Sequence, residues 1–328
     1  MKKSPLGQKD FAIILIVILL TIFVCNIITP FFYKYIKTDL YRTHLIIEKL
    51  KEPDFNPEMV VFGSSTSMMG INCYQMSKEL DLDVYNFSTI GQSPVESSLY
   101  YSMLPSTVKT VIQIVKPPIK RDDEEERLEK GLDKSHCNFF SLGGYLLSDD
   151  IKQINPHSDL SVLEENEFIV NIKARGAFLV PGLTYLLLPR DKVADADLKF
   201  CNSYLTQRHA MYDRTIDQAY KRSMKDKKIE IDIDEVETLK GYVNYLRSHD
   251  IKMVFVLMPS NPDTEEFSSE QMKMIGDECN KQIPEAIFLN YLSAIQDTKL
   301  FFDSGHLNRE GAEVLTGILD KDLSKLLK

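Results

Sequence analysis

The sequence predicts an α/β fold: a doubly wound parallel sheet with a largely helical insertion and an N-terminal transmembrane helix. Short apolar runs alternate with helical patterns over residues 59–115, and the same alternation returns over residues 250–328. Near-continuous β-branched runs separated by helices are typical of a parallel sheet that is covered on both faces. A long uncharged run near the N-terminus predicts the transmembrane helix.

The first thirty residues bear on where the rest of the chain is located. Residues 11–28 carry no charge, and at about 1.5 Å per residue they make roughly 27 Å of helix, enough to cross a hydrocarbon core. Three lysines precede this run and favour a cytoplasmic N-terminus, although two more follow it closely. We expect residues 1–33 to be a cytoplasmic tail and an uncleaved membrane anchor, with the remaining chain extracytoplasmic. The alternative is a cleaved signal peptide, which has a shorter apolar core and an A-x-A-like site.

Composition and missing motifs argue against several classes of function. A formal net charge of −9 argues against a nucleic-acid partner, which requires a basic face. The glycine-rich loops that bind nucleotides are absent, and so are clusters of metal ligands, so we expect no cofactor and no metal. Outside the apolar run, the cysteines predict either disulfides or separate buried thiols; they are Cys73, Cys137, Cys201 and Cys279.

Each element of the predicted sheet domain, residues 59–328, follows from a local pattern. A linker helix over residues 34–58 precedes the domain. Strands are predicted over residues 59–64, 83–88 and 110–115, with helices over residues 67–80 and 95–104 between them. The second half predicts a strand over residues 252–258, a helix from about Ser268, a strand over residues 286–291 and a closing helix from about Asn308.

Between about residues 117 and 233 the alternation stops, which predicts an insertion into the sheet domain. The insertion opens with a proline bend and a charge run, most simply the solvated face of a helix. Residues 176–189 are apolar but too short to span a bilayer, and a Pro-Gly pair interrupts them. They fit a buried helix or core strap, or alternatively a patch that faces the membrane or a partner.

The run VVFGSSTS at residues 60–67 ends a predicted buried strand on a glycine and four hydroxyls. Ligands of doubly wound sheets bind beyond the carboxyl ends of the strands, where this turn falls. A serine there becomes a nucleophile only if a base activates it and an acid orients the base. Asp303 and His306, in the loop DSGHLN, have the spacing for such a pair: the carboxylate takes the Nδ1–H, and Nε2 stays free for a serine.

Three motifs carry a family resemblance: FGSSTS, NFSTIGQSP and DSGHLN. They resemble blocks I, II and V of the SGNH (GDSL-like) hydrolase superfamily, above all its membrane-anchored DltD-like branch associated with polysaccharide acylation. The resemblance covers about residues 59–115 and 250–328. It implies a flavodoxin-like, SGNH-hydrolase-like sheet, with Ser65 as nucleophile, His306 as base and Asp303 as orienting acid. It also implies that the backbone N–H of Gly91 serves the oxyanion hole.

Two positions in the resembling segments leave alternatives open. Asn308 matches the residue two after the block V histidine, but it equally fits the cap of the last helix. Ser64, Thr66 and Ser67 fit cap or turn positions better than catalytic ones.

The chain departs from the family pattern at block III. The usual Gly-x-Asn, whose amide donates to the oxyanion, should follow the third strand, where this chain has QIVKPPIK. Losing one such donor typically costs about 10² to 10³ in rate. The site therefore has another donor or belongs to a slow, specialised transferase. Gln113 fits a strand position, and Lys116 is the better candidate for a polar group at the strand's end.

The resemblance and the predicted anchor together imply an extracytoplasmic acyl esterase or O-acyltransferase that acts on a cell-envelope polysaccharide, in the periplasm or at the cell surface. The implied partners are an acylated glycan and a multispanning membrane O-acyltransferase. The alternative is a non-catalytic scaffold or glycan-binding protein on the same fold, because fold alone does not imply function. The missing block III favours this alternative, whereas the retained Ser, His and Asp disfavour it.

Overall fold

A computed structural model describes residues 8–35, 39–120, 155, 197–201, 225, 227–264 and 266–327. The described strands are β1 (Met59–Phe62), β2 (Val84–Asn86), β3 (Thr110–Val115), β4 (Lys252–Leu257) and β5 (Ile287–Asn290). They form one all-parallel sheet in the order β2-β1-β3-β4-β5. This order is consistent with a flavodoxin-like fold, so the predicted α/β class and parallel sheet are confirmed.

Helices cover both faces of the sheet. The described helices are α1 (Gln8–Tyr35), α2 (Asp39–Lys51), α3 (Ser65–Gly70), α4 (Cys73–Leu80), α5 (Pro94–Ser98), α6 (Ile233–Ser248), α7 (Ser269–Gln282) and α8 (Arg309–Leu326). Short 3₁₀ turns lie at Tyr101–Met103, Pro262–Thr264 and Thr298–Leu300. Side chains alternate across β1, so that Val60 and Phe62 pack under α2, α5, α6 and α7. Met59 and Val61 pack under α4 and α8 on the other face.

Several boundaries differ from the sequence prediction. The helix predicted over residues 67–80 is two helices, because Asn72 starts a new one: its side-chain oxygen accepts hydrogen bonds from the N–H groups of Tyr74 and Gln75. The helix predicted over residues 95–104 is α5 followed by a 3₁₀ turn. Helix α6 was not expected from the sequence, although Asp232 caps it in the same way.

Within the segment predicted as a linker helix, residues 34–58, α2 covers Asp39–Lys51 and packs against the sheet domain. Ile46, Ile47 and Leu50 are buried in the core. Arg42 is only 1 % exposed, and its guanidinium donates to the carbonyl oxygens of Asn86, Ser88 and Asp197. Helix α2 is therefore tied to the carboxyl end of β2, close to the block II segment.

The N-terminal segment forms α1, which includes the uncharged run. A search of the described residues finds no helix with both the length and the hydropathy needed to cross a membrane.

The predicted insertion lies mostly outside the described residues, as do residues 176–189 and Cys137. Where the chain leaves and rejoins the sheet domain, Ile119 and Ile231 form an antiparallel bridge. Cys73 and Cys279 are free, buried thiols, and Cys201 is buried as well.

Candidate active site

The turn after β1 places Ser65 at the start of α3. Gly63 has a φ of +155°, a conformation that side-chain-bearing residues rarely adopt. A Cβ on Gly63 would stand 2.7 Å from Ile114 Cβ and 2.9 Å from Ser67 Cβ. Only glycine therefore fits between the end of β1 and α3. The tight turn leaves Ser65 partly exposed beyond the carboxyl edge of the sheet.

Ser65, His306 and Asp303 form one hydrogen-bonded series. Ser65 Oγ lies 2.8 Å from His306 Nε2. On the other side of the ring, His306 Nδ1 lies 2.9 Å from both carboxylate oxygens of Asp303. A proton on Nδ1, beside the carboxylate, leaves Nε2 as the acceptor for the serine hydroxyl. The structure thus brings together the three residues that the sequence singled out from its two ends.

Asp303 is held as a carboxylate by its surroundings. Its Oδ1 accepts the backbone N–H groups of Gly305 and His306 at 2.9 and 2.8 Å. Burial alone would raise the pKa of Asp303, but the hydrogen bond to His306, the charge of His306 and the two backbone N–H groups outweigh burial and hold the pKa below its ordinary value. The negative charge that orients the imidazole is therefore present at neutral pH.

The other hydroxyls of the turn have local partners. Ser64 precedes α3 as its N-terminal cap, and its Oγ lies 3.1 Å from Thr66 Oγ1. Ser67 is fully buried, and its Oγ lies 2.7 Å from Ser88 Oγ. Of the four hydroxyls, the one that contacts His306 is that of Ser65.

The block II loop lies beside the nucleophile turn. Thr89 N–H donates to the carbonyl of Gly63 at 3.1 Å, and Gly63 N–H donates to Gln92 Oε1 at 3.0 Å. Between them Gly91 is exposed, with a φ of +70°. Within the described residues, neither Ser65 N–H nor Gly91 N–H donates to a protein acceptor. An N–H without an acceptor at each position is compatible with the oxyanion role that the family resemblance implies.

Asn308 serves the start of α8. Its Oδ1 accepts the N–H of Gly311 at 2.9 Å, and its Nδ2 donates to the carbonyl of Lys299 at 2.6 Å. The side chain thus caps the helix and ties it to the preceding 3₁₀ turn. In the described part of the chain it makes no hydrogen bond to Ser65 or His306. The cap alternative accounts for these contacts.

Neither Gln113 nor Asn261 replaces the block III amide. Gln113 is a fully buried residue of β3, where it accepts the hydroxyl of Tyr101 and donates to the carbonyl of Ile114. Asn261, after β4, is equally buried and donates to the carbonyl of Asp303. Lys116 is exposed directly after β3.

Two side chains that stabilise the turn after β1, those of Gln92 and Asn86, were not predicted from the sequence. Gln92 is buried and connects the block II loop to Gly63. Asn86 is buried beneath α3, and its amide donates to the carbonyls of Ser67 and Ile71. Both residues lie in the block II motif NFSTIGQSP. The motif did not reveal their role, because their partners come from other segments.

Neither a cluster of metal ligands nor a match to a known protein identifies the function of this site. No group of three or more His, Cys, Asp or Glu side chains that could hold a metal occurs among the described residues. In comparisons with known proteins, no family model matches the chain, and no curated protein matches it either. The family resemblance therefore stays a proposal that rests on the motifs and on the geometry described above.

Proposed function

We propose that the chain is an SGNH-type serine esterase or O-acyltransferase that acts on an acylated cell-envelope polysaccharide. One observation carries the proposal: the hydrogen-bonded series from Ser65 Oγ through the imidazole of His306 to the carboxylate of Asp303. Such a series converts a serine hydroxyl, a poor nucleophile by itself, into one that attacks ester carbonyls.

The proposed mechanism has two half-reactions. Ser65 Oγ attacks the ester carbonyl while His306 Nε2 takes the hydroxyl proton, and Asp303 stabilises the imidazolium that forms. The N–H groups of Ser65 and Gly91 stabilise the oxyanion. The C–O bond to the leaving alcohol then breaks, and His306 returns its proton to that alcohol. In the second half-reaction, water or a sugar hydroxyl attacks the acyl-serine and gives its proton to His306. The bond between the acyl carbon and Ser65 Oγ then breaks, and His306 returns the proton to Ser65 Oγ.

The missing block III amide bears on the rate. One oxyanion donor fewer typically lowers kcat by about 10² to 10³. A slow, specialised transferase that holds its acceptor close tolerates such a loss better than a broad esterase does. The glycan acceptor and the multispanning O-acyltransferase partner follow from the family resemblance alone.

The extracytoplasmic location is part of the proposal and rests mainly on the sequence. Its support is the uncharged run over residues 11–28 with lysines before it. In addition, Phe11, Ile16 and Phe23 are each more than 60 % exposed on α1, and exposed apolar patches of this kind mark contacts with a membrane or a partner.

A scaffold or glycan-binding role is the second candidate. The observation that favours it is the lack of a Gly-x-Asn directly after β3, where the third oxyanion donor is expected. This role has no use for the contact between Ser65 and His306, which is why the enzyme is the better-supported proposal.

Labelling by an alkyl fluorophosphonate separates the two functions. The phosphorus reacts only with an activated serine, so the purified protein should be labelled at Ser65, as peptide mass spectrometry can verify. Ser64→Ala should be labelled like the native protein, and Ser65→Ala should not. A folded native protein that resists labelling at every probe concentration would favour the scaffold role.

A further inference from the structure

The loop that carries the acid and the base is hydrogen-bonded to the segment after β4. Asn261 Nδ2 donates to the carbonyl of Asp303 at 3.1 Å, and Thr264 Oγ1 donates to the carbonyl of Ser304 at 3.1 Å. Asn261 is fully buried, and its Oδ1 accepts the N–H of Asp263 at 3.0 Å. The side chain of Asn261 is therefore held in place by its own segment as well as by its bond to the loop.

The hydrogen bonds within that loop fix the positions of Asp303 and His306 relative to each other. Phe302 N–H donates to the carbonyl of His306 at 2.8 Å, and Phe301 and Leu307 form an antiparallel bridge. Together with the backbone bonds to the Asp303 carboxylate, these contacts hold acid and base in position relative to each other. They do not determine where the pair lies relative to Ser65.

Ser65 follows β1, whereas Asn261 follows β4, and β3 lies between these strands. Because neighbouring strands are about 4.8 Å apart, the loop must be held across roughly 10 Å of sheet edge to reach the serine. Phe301 and Leu307 are buried in the core and anchor the ends of the loop. Apolar contacts are non-directional, whereas a hydrogen bond to the Asp303 carbonyl specifies the orientation of the loop.

We propose that Asn261 is a positioning residue that sets the distance between His306 Nε2 and Ser65 Oγ. The inference rests on the proposed function, because its readout is the reactivity of Ser65. A misplacement of about 1 Å at a reacting group can cost roughly 10² in rate. Removing the Asn261 amide should therefore slow the attack of Ser65 without disturbing the pair formed by Asp303 and His306.

The test compares Asn261→Ala with Asn290→Ala. Asn290, at the end of β5, has the same bonding pattern: its Oδ1 accepts the N–H of Leu292, and its Nδ2 donates to the carbonyl of Met272. The rate of fluorophosphonate labelling is measured for both variants and the native protein from pH 5 to pH 9. Asn261→Ala should label about ten- to a hundredfold more slowly at every pH, with the shape of the pH profile unchanged. Asn290→Ala should label at the native rate.

Each outcome decides between the two proposals. A native protein that is not labelled overturns the proposed function itself. With a labelled native protein, three results overturn the inference alone: a native rate for Asn261→Ala, an equal slowing in both variants, or a shifted pH profile. If Asn261→Ala does not fold, Asn261→Asp carries the test, because its side chain keeps an acceptor for Asp263 N–H but a carboxylate cannot donate to the carbonyl of Asp303. Its labelling should slow about three- to tenfold, and a native rate overturns the inference.

Discussion

Ser65 Oγ and His306 Nε2 lie 2.8 Å apart although 241 positions of sequence separate the two residues. Ser65 begins α3 directly after β1, and His306 lies in the loop before α8. Both loops lie at the edge of the sheet where doubly wound folds bind their ligands. The contact therefore depends on the parallel sheet that brings the two ends of the domain together.

The first prediction concerns the nucleophile. Ser65→Ala should lower kcat for an acyl ester by at least about 10³, because no other hydroxyl of the turn contacts the base. The melting temperature should hardly change, since the substitution removes one partly exposed hydroxyl. Steady-state kinetics and thermal unfolding measure the two effects.

Ser64→Ala is the matched control for that substitution. It removes the contact between the Ser64 and Thr66 hydroxyls and leaves His306 its partner, so activity should stay close to native. Loss of activity in Ser64→Ala together with an active Ser65→Ala would show that Ser64, and not Ser65, is the nucleophile.

A second prediction concerns the orienting acid. Asp303→Asn should lower kcat by about 10⁴ at neutral pH, because an amide no longer selects the tautomer with a proton on Nδ1. Asp297→Asn is the control: Asp297 caps the preceding 3₁₀ turn by accepting the N–H of Lys299 and does not bind the histidine. Similar losses of kcat in the two variants would mean that any substitution in this loop lowers activity, and would contradict a specific role of Asp303 in orienting His306.

The third prediction concerns a buried carboxyl group on α8. Asp320 is 4 % exposed, and within the described residues neither of its side-chain oxygens has a hydrogen-bond partner. Burial raises the pKa of Asp320 to about 7, and the nearby Glu79 carboxylate adds to the shift. The folded state therefore holds this proton more tightly than the unfolded state does. The free energy of unfolding should fall as the pH rises from the ordinary carboxyl value towards 7, by up to about 1.4 kcal/mol per pH unit from this group.

Asp320→Asn should remove that slope and be more stable than the native protein above pH 7. Asp322→Asn is the control, because Asp322 accepts the hydroxyl of Tyr291 and pairs with Lys325, and it should keep the slope. Denaturant unfolding at pH 5, 6, 7 and 8 measures all three proteins. Parallel curves for native protein and Asp320→Asn would contradict the prediction.

The fourth prediction concerns topology. A reporter enzyme fused after residue 328 should be active only on the non-cytoplasmic side of the membrane, and the mature protein should retain residues 1–33. N-terminal sequencing of the membrane fraction measures the second point. An N-terminus shortly after residue 29 would indicate a cleaved signal peptide instead.

Local patterns predicted the strands well because β1, β3 and most of β4 are short runs of buried, largely β-branched or aromatic residues. The strand predicted over residues 110–115 matches β3 to the residue. Helix boundaries were harder to predict. The pattern over residues 67–80 is continuous, and only the capping bonds of Asn72 reveal the second helix.

The sequence by itself determined the class of fold, the edge of the sheet at which chemistry is expected, and the serine, histidine and aspartate that lie there. These follow from patterns within a few residues of each other. The tertiary structure alone decided how closely Ser65 approaches His306, what Asn308 binds, and which side chains support the turn. The bonds of Gln92 to Gly63 and of Asn261 to Asp303 join segments that are 29 and 42 positions apart. No local pattern specifies such bonds, because the partner is chosen by the packing of the sheet.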